Sequence, residues 1–379
     1  MKDIDISPCI GAWIETEQRG RCDQAMGKLE GIESIYYTTD RAQFHILIRG
    51  DFDAEPIVFV HGNTASATFW EEVMFALPDD YRSVAPDMRG FGLTEAKPVD
   101  ATRGVRDWSD DLYGLTWSLG LREFHLVGWS LGGGIAMQYL LDHPGKVITL
   151  TLVAPISPYG FSGTRGPDAI PCWPDYAGSG GGGVNRQFLE LMKRKVTDGG
   201  DDPALPRNIL NACFWRPEFR PEREDDFLDA LLQTAVGDHN YPGDFAPSPN
   251  WPGYAPGTCG VLNAISPKYF RVDGIADLDV KPPILWVRGS DDLLISDASP
   301  FDIGYLGRLG LVPGWPGNEV FPPQPMIEQT RAVLDRYAKN GGFFREVVFQ
   351  ECGHSPHIEK KDAFVAELVE HMRWATTYI

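Results

Sequence analysis

The sequence predicts an α/β fold, with a mostly parallel central sheet flanked by helices and interrupted by one large insertion. Two observations carry that reading. Short apolar runs alternate with stretches of helical length, as successive βαβ units require. The alternation then stops at Pro155 and resumes at Lys281, leaving a block of roughly 125 residues, enough for a separate domain. The expected organisation is a core of residues 1–155 and 281–379 with an inserted cap over residues 156–280.

Taken in order, IESIYYTT and FHILIRG are rich in β-branched and aromatic residues and read as an antiparallel pair of strands. PIVFVHG is a continuous apolar run ending in glycine, the pattern of a strand buried on both faces. ATFWEEVMFAL reads as a helix, YRSVAPD as a strand and DWSDDLYGLTWSLG as a helix. FHLVGW is a further buried strand, followed by the helix LGGGIAMQYLLDHP and the strand VITLTLVAP. The block that follows is dense in Pro, Gly and Trp and shows two helical stretches, NRQFLELMKRKV and EDDFLDALLQTAV. Its run GSGGGG, residues 178–183, is flexible by composition and a candidate hinge. The α/β pattern returns with the strand PPILWVRG. A second irregular insert over 300–324 precedes the helix PMIEQTRAVLDRYAKN, the strand REVVFQ and the helix AFVAELVEHMRWA.

At 379 residues, with 12% aromatic residues, the chain has ample apolar bulk for a core. Its formal net charge of -19 works against nucleic-acid phosphates and anionic membrane surfaces as partners. A small-molecule substrate is the expected partner. Cys9, Cys22, Cys172, Cys213, Cys259 and Cys352 are scattered without a Cys-x-x-Cys pair. That argues against structural zinc and for reduced thiols. The opening MKDIDISPCIGAWIETEQ has no apolar run behind a basic start, so it does not read as a secretory signal. No stretch of about 18 apolar residues suggests a membrane span. A cytoplasmic location is expected; the oligomeric state is open.

The strongest chemical signal is Gly128-Trp129-Ser130-Leu131-Gly132, where a buried strand gives way to a helix. A Gly-x-Ser-x-Gly turn between strand and helix is a nucleophile elbow. The serine projects at the carboxyl end of the sheet, and small flanking residues let neighbouring chain pass. The following helix directs its positive end at any developing oxyanion.

On these residues the chain resembles the α/β-hydrolase superfamily, specifically its members with a cap after the sixth strand. The resemblance covers residues 55–155 and 281–379. It implies the chain order nucleophile, acid, histidine. After the seventh strand the sequence reads Arg288-Gly289-Ser290-Asp291-Asp292, and the family pattern places the acid at Asp292, with Asp291 and Asp297 as alternatives. After the last strand it reads Gly353-His354-Ser355-Pro356-His357, which makes His354 the base and His357 the runner-up. The oxyanion hole is expected from the backbone N–H groups of Leu131 and Asn63, in the segment His61-Gly62-Asn63-Thr64, with His61 orienting that loop. Trp129 and Thr64 are expected to touch substrate. Asp87-Met88-Arg89-Gly90-Phe91-Gly92 also resembles a superfamily segment and is assigned no catalysis.

The implied chemistry is acyl transfer. Ser130 attacks a carbonyl, His354 takes its proton, Asp292 holds the imidazole, and water resolves the acyl-enzyme. No cofactor and no metal is required. Activity is expected to fall in acid as His354 protonates. The serine excludes haloalkane dehalogenase and epoxide hydrolase relatives, which carry aspartate at this place. The leading expectation is a carboxylic ester or lactone hydrolase for a mid-sized apolar or aromatic substrate. The same residues would serve carbon–carbon cleavage of a diketone, amide cleavage or perhydrolysis, because one fold hosts many chemistries. A different class altogether is a non-catalytic ligand-binding protein that kept the fold.

Overall fold

A computed structural model describes residues 19–21 and 29–378. The leaderless opening expected of residues 1–18, and the thiols Cys9 and Cys22, lie outside the described residues. Cys172, Cys213, Cys259 and Cys352 are free thiols.

Nine strands form one sheet: β1 (Arg19–Arg21), β2 (Glu33–Thr38), β3 (Gln43–Arg49), β4 (Glu55–Val60), β5 (Tyr81–Pro86), β6 (Phe124–Trp129), β7 (Val147–Val153), β8 (Ile284–Gly289) and β9 (Phe344–Phe349), in the order β1-β2-β3-β5-β4-β6-β7-β8-β9. The first three pairings are antiparallel and the other five parallel. The eight strands read from the sequence are β2 to β9. β1, with sequence RGR, has no apolar residue and gave no signal.

Burial follows position in the sheet. Every residue of β6 is buried, as a central parallel strand covered by helices on both faces demands, whereas the edge strand β9 is only half-buried. The chain order reverses beside β4: β5 lies on one side of it and β6 on the other. Open α/β sheets bind ligands at such a switch point, at the carboxyl ends of the strands. Here those ends carry the His61–Thr64 loop and Ser130.

The flanking helices are α1 (Glu71–Ala76), α2 (Arg106–Ser118) and α3 (Leu131–Asp142). Between β7 and β8 come α4 (Arg186–Lys193), α5 (Pro206–Cys213), α6 (Glu224–Leu232) and the short α7 (Val261–Ala264). The sequence suggested two helices in this segment, so α5 and α7 are corrections. α5 is only two turns long, too short for a helical period to stand out, although proline suits its first position. The remaining helices are α8 (Ile303–Arg308), α9 (Met326–Lys339), α10 (Pro356–Glu359) and α11 (Lys361–Tyr378). Among the described residues no helix is long and apolar enough to cross a membrane.

The glycine run 178–183 is not the hinge its composition suggested. Its glycines are there because neighbours occupy the space a side chain would need. A Cβ on Gly178 would meet the Phe321 ring, one on Gly180 the Asn263 Oδ1 and one on Gly182 the Tyr254 ring. Gly178 and Gly180 also hold positive φ, at 89° and 83°. Asn263, fully buried, stitches this wall together. Its Oδ1 accepts from Gly181 N at 3.0 Å, and its Nδ2 donates to the carbonyls of Asp244 and Cys259 at 2.7 and 2.6 Å.

A second buried polar network ties residues 157–166 to the insert before α9. Ser162 Oγ donates to Asp302 Oδ1 at 2.7 Å, Asp302 Oδ2 accepts from Gln324 N and Tyr305 N, and Gln324 Nε2 donates to Gln329 Oε1. Ser157 Oγ donates to the same Gln329 oxygen at 2.7 Å. A network with every member satisfied rigidifies what it joins.

Candidate active site

Ser130 sits between β6 and α3 with φ 56° and ψ −118°. That is a strained conformation for a residue with a side chain, held only because the surroundings over-determine it. Gly128 and Gly132 allow it: a Cβ on Gly128 would collide with the Gly132 carbonyl, and one on Gly132 with the Val60 carbonyl. Backbone bonds fix the turn from both sides, Ser130 N to Val153 O at 2.9 Å and Ile156 N to Ser130 O at 3.1 Å.

His354 and Asp292 lie side by side, with His354 Nδ1 2.9 Å from Asp292 Oδ2 and both side chains buried. The other carboxylate oxygen accepts from Leu294 N at 2.8 Å and Ile295 N at 3.0 Å. A carboxylate only accepts, so Nδ1 carries the proton and Nε2 keeps a lone pair. Asp291 and Asp297 take no part. Asp291 is exposed and pairs with Arg216 at 3.3 Å, and Asp297 Oδ1 accepts from Ile327 N.

Trp129 is 0% exposed. Its Nε1 donates to the His354 carbonyl at 2.9 Å, and its ring stacks on Phe69 at 5.1 Å. The indole therefore bolts the strand that leads to Ser130 to the loop of His354. His357 is fully buried between Trp70 and Trp129, at ring separations of 4.3 and 4.8 Å. Burial, and then the neighbouring His354, push its pKa well below the ordinary imidazole value, so it is a neutral packing element.

His61 shapes the other lip. Its Nε2 accepts from Met88 N at 2.9 Å, so its proton is on Nδ1, which donates to Gly62 O at 2.8 Å. Across a trans peptide the carbonyl and the next N–H point opposite ways. Holding Gly62 O therefore turns the Asn63 N–H away from His61. Leu131 is the first residue of α3, where N–H groups have no partner inside the helix.

Ser130, His354, Asn63, Thr64, Leu131 and Trp129 all line one cavity of about 360 Å³. Segment 156–280 supplies much of the remaining wall, including Phe161, Phe188, Phe214 and Leu231, and the 294–306 stretch supplies Leu294, Ile295 and Phe301.

A family model described as the alpha/beta hydrolase fold matches residues 55–171. The esterase EaEST from Exiguobacterium antarcticum superposes over 89% of this chain and 98% of its own, with a TM-score of 0.55 at 18% identity. The described residues have the alpha/beta hydrolase fold. The 2-hydroxymuconate semialdehyde hydrolase of Pseudomonas sp. (strain CF600) is 33% identical over 175 residues, 45% of this chain and 57% of that protein. Carboxylesterase YbfK of Bacillus subtilis (strain 168) is 27% identical over 191 residues, 50% of this chain and 60% of that one. The chain thus spans less than two thirds of either curated relative.

Two residues behind the loops of Asp292 and His354 were not anticipated from sequence. Glu359, at the end of α10, accepts from Gly353 N at 2.8 Å through Oε1 and from Arg216 N at 3.1 Å through Oε2. Arg216 also lies 3.3 Å from Asp291 and 3.7 Å from Glu351. One carboxylate and one guanidinium therefore join segment 156–280 to both loops that carry Asp292 and His354. Burial raises the Glu359 pKa above the usual carboxylate range, against the pull of those backbone donors. Nothing in the local sequence marks either residue, because their partners are distant in the chain.

Proposed function

We propose that the protein is a serine hydrolase that cleaves a carboxylic ester or lactone through an acyl-enzyme, with residues 156–280 acting as a cap over the site. One observation carries the reading: a strained serine and a histidine with a free Nε2 lone pair, oriented by a carboxylate, line the same apolar cavity. Ser130 Oγ attacks the acyl carbonyl as its proton passes to His354 Nε2. The N–H groups of Leu131 and Asn63 receive the oxyanion, and Asp292 stabilises the imidazolium. The proton is then given to the leaving alcohol. Water, deprotonated by the same nitrogen, frees the acid. Protonating His354 in acid removes the lone pair, so turnover falls as pH drops.

Carboxylesterase relatives support the ester reading. The relative named for 2-hydroxymuconate semialdehyde acts on a compound that keeps a carboxylate. A cavity lined by no Lys or Arg counts against that substrate class here. The test is hydrolysis of p-nitrophenyl esters of increasing acyl length by the wild type and by Ser130→Ala. Activity that disappears in the variant while circular dichroism is unchanged supports the reading. Activity that survives in Ser130→Ala would overturn it.

A further inference from the structure

The described residues lining the cavity include no Lys, Arg, Asp or Glu. Several of its polar side chains are already engaged. Ser162 Oγ donates to Asp302, Ser179 Oγ donates to Tyr176 O at 2.9 Å, and Asn185 Oδ1 caps α4 by accepting from Gln187 N. Two carboxylates stand directly behind the wall: Asp292 through His354, and Asp302 through Ser162, both buried. The nearby guanidinium of Arg216 is outside the lining and faces Asp291, Glu351 and Glu218. The whole chain carries a formal net charge of -19.

We infer that this cavity is built for uncharged substrates and turns away carboxylates, so that the site expels the acid it makes. The inference deepens the ester reading and rests on it for its second half. A buried carboxylate without a cation beside it is held at a large desolvation cost. Here a ligand carboxylate would also face the field of Asp292 and an acidic surface. A neutral ester meets neither penalty. Hydrolysis converts the acyl-enzyme and one water into free Ser130 and a carboxylic acid. The acid loses its proton by way of His354 to solvent. The resulting anion then sits in a cavity that offers it no lysine or arginine, and it leaves.

The closing experiment measures binding separately from turnover. Ethyl 4-phenylbutanoate and the 4-phenylbutanoate anion are titrated into Ser130→Ala, followed by calorimetry. The ester is expected to bind at least a hundredfold more tightly. Binding of the two within threefold of each other would overturn the inference, whatever the enzyme hydrolyses. Phe301→Arg places a cation at the exposed rim of the same cavity and is expected to raise the anion's affinity about tenfold. No gain there, with the variant folded, would also count against it. Wild-type turnover is then compared on p-nitrophenyl hexanoate and mono-p-nitrophenyl adipate, which differ only at the far end of the acyl chain. A kcat/KM at least a hundredfold lower for the adipate is expected. Selective binding of the neutral ester with no turnover of either compound would sink the ester reading and leave the charge selection standing.

Discussion

The molecule contains two Ser–His–Asp sets with the same proton arrangement, and only one faces a cavity. In the first, Ser34 Oγ is 2.8 Å from His45 Nε2, and His45 Nδ1 is 2.7 Å from Asp87 Oδ2. The second is Ser130, His354 and Asp292. Taken as a list of contacts, the buried set is the more complete. Its serine, however, sits in the regular strand β2, and all three side chains are sealed in the core. Asp87 also accepts from Ala67 N at 2.7 Å and Leu93 N at 2.8 Å. Burial pushes that carboxyl up, but His45 and His61 outweigh it and hold it below its ordinary value. The first set is a brace joining β2, β3 and the loop after β5. What distinguishes the second is a strained turn, candidate oxyanion donors and room for a ligand, none of which a three-residue constellation supplies by itself.

The comparison can be broken outright by mutating the two serines. Ser130→Ala is expected to lower kcat by about 10⁴-fold or more, as removal of a nucleophile does. Ser34→Ala is expected to change kcat less than twofold and to cost about 1 kcal/mol of stability, the worth of a typical hydrogen bond. Ester kinetics and urea melts on both variants check this; a large kinetic loss from Ser34→Ala would show that the two sets are coupled. Next in size, Asp292→Asn keeps the shape but favours the wrong histidine tautomer, and kcat should fall by about 10⁴-fold or somewhat less. Asp291→Asn should leave kcat within about threefold, since an exposed ion pair contributes little, and equal losses would reverse the assignment of the acid.

A smaller effect sharpens how the second set is held. Glu359→Gln offers one acceptor oxygen where two backbone N–H groups need one each. Steady-state kinetics should show kcat falling about tenfold with KM nearly unchanged, as expected when a catalytic group is misplaced. Glu359→Ala should be worse, and a KM effect alone would mean that the residue serves only the wall.

The mildest test separates loss of the base from loss of the fold. Burial pushes His371 down to about 4, and it pushes His357 below its ordinary value. Unfolding lets both take up protons near about 6.5. The unfolded chain therefore binds more protons between those values, and stability is lost as pH falls from about 6.5 towards 4. Urea midpoints at pH 7 and pH 5 should differ in that sense, and His371→Leu should flatten the slope. Equal midpoints in the wild type would show that these rings are not held neutral.

Much of the fold was legible because parallel strands buried on both faces must be continuous apolar runs, and β4, β6, β7 and β8 are. That Asp292 and His354 would lie together was foreseen from the family resemblance, since each follows a strand end where a short motif stands. The rest was hidden for physical reasons. The glycine run 178–183 looked flexible by composition, yet it is fixed by Tyr254, Asn263 and Phe321, which lie elsewhere in the chain. Helix α5 spans only two turns, too few for a helical period to stand out. Glu359 and Arg216 act across 143 positions, a separation at which no periodicity reports a contact. Trp129 was expected to touch substrate, and it does line the cavity. Its bond to the His354 carbonyl, 225 positions away, could not be read from the motif.

Because a single carboxylate, that of Glu359, holds both the loop of His354 and the backbone of Arg216, the wall and the base are mechanically interlocked. Any displacement of the Arg216 backbone would free one oxygen of that carboxylate, while the other keeps its hold on Gly353 N beside the histidine. A substitution at residue 359 would therefore be felt on both sides at once, in the loop of His354 and in the backbone of residue 216.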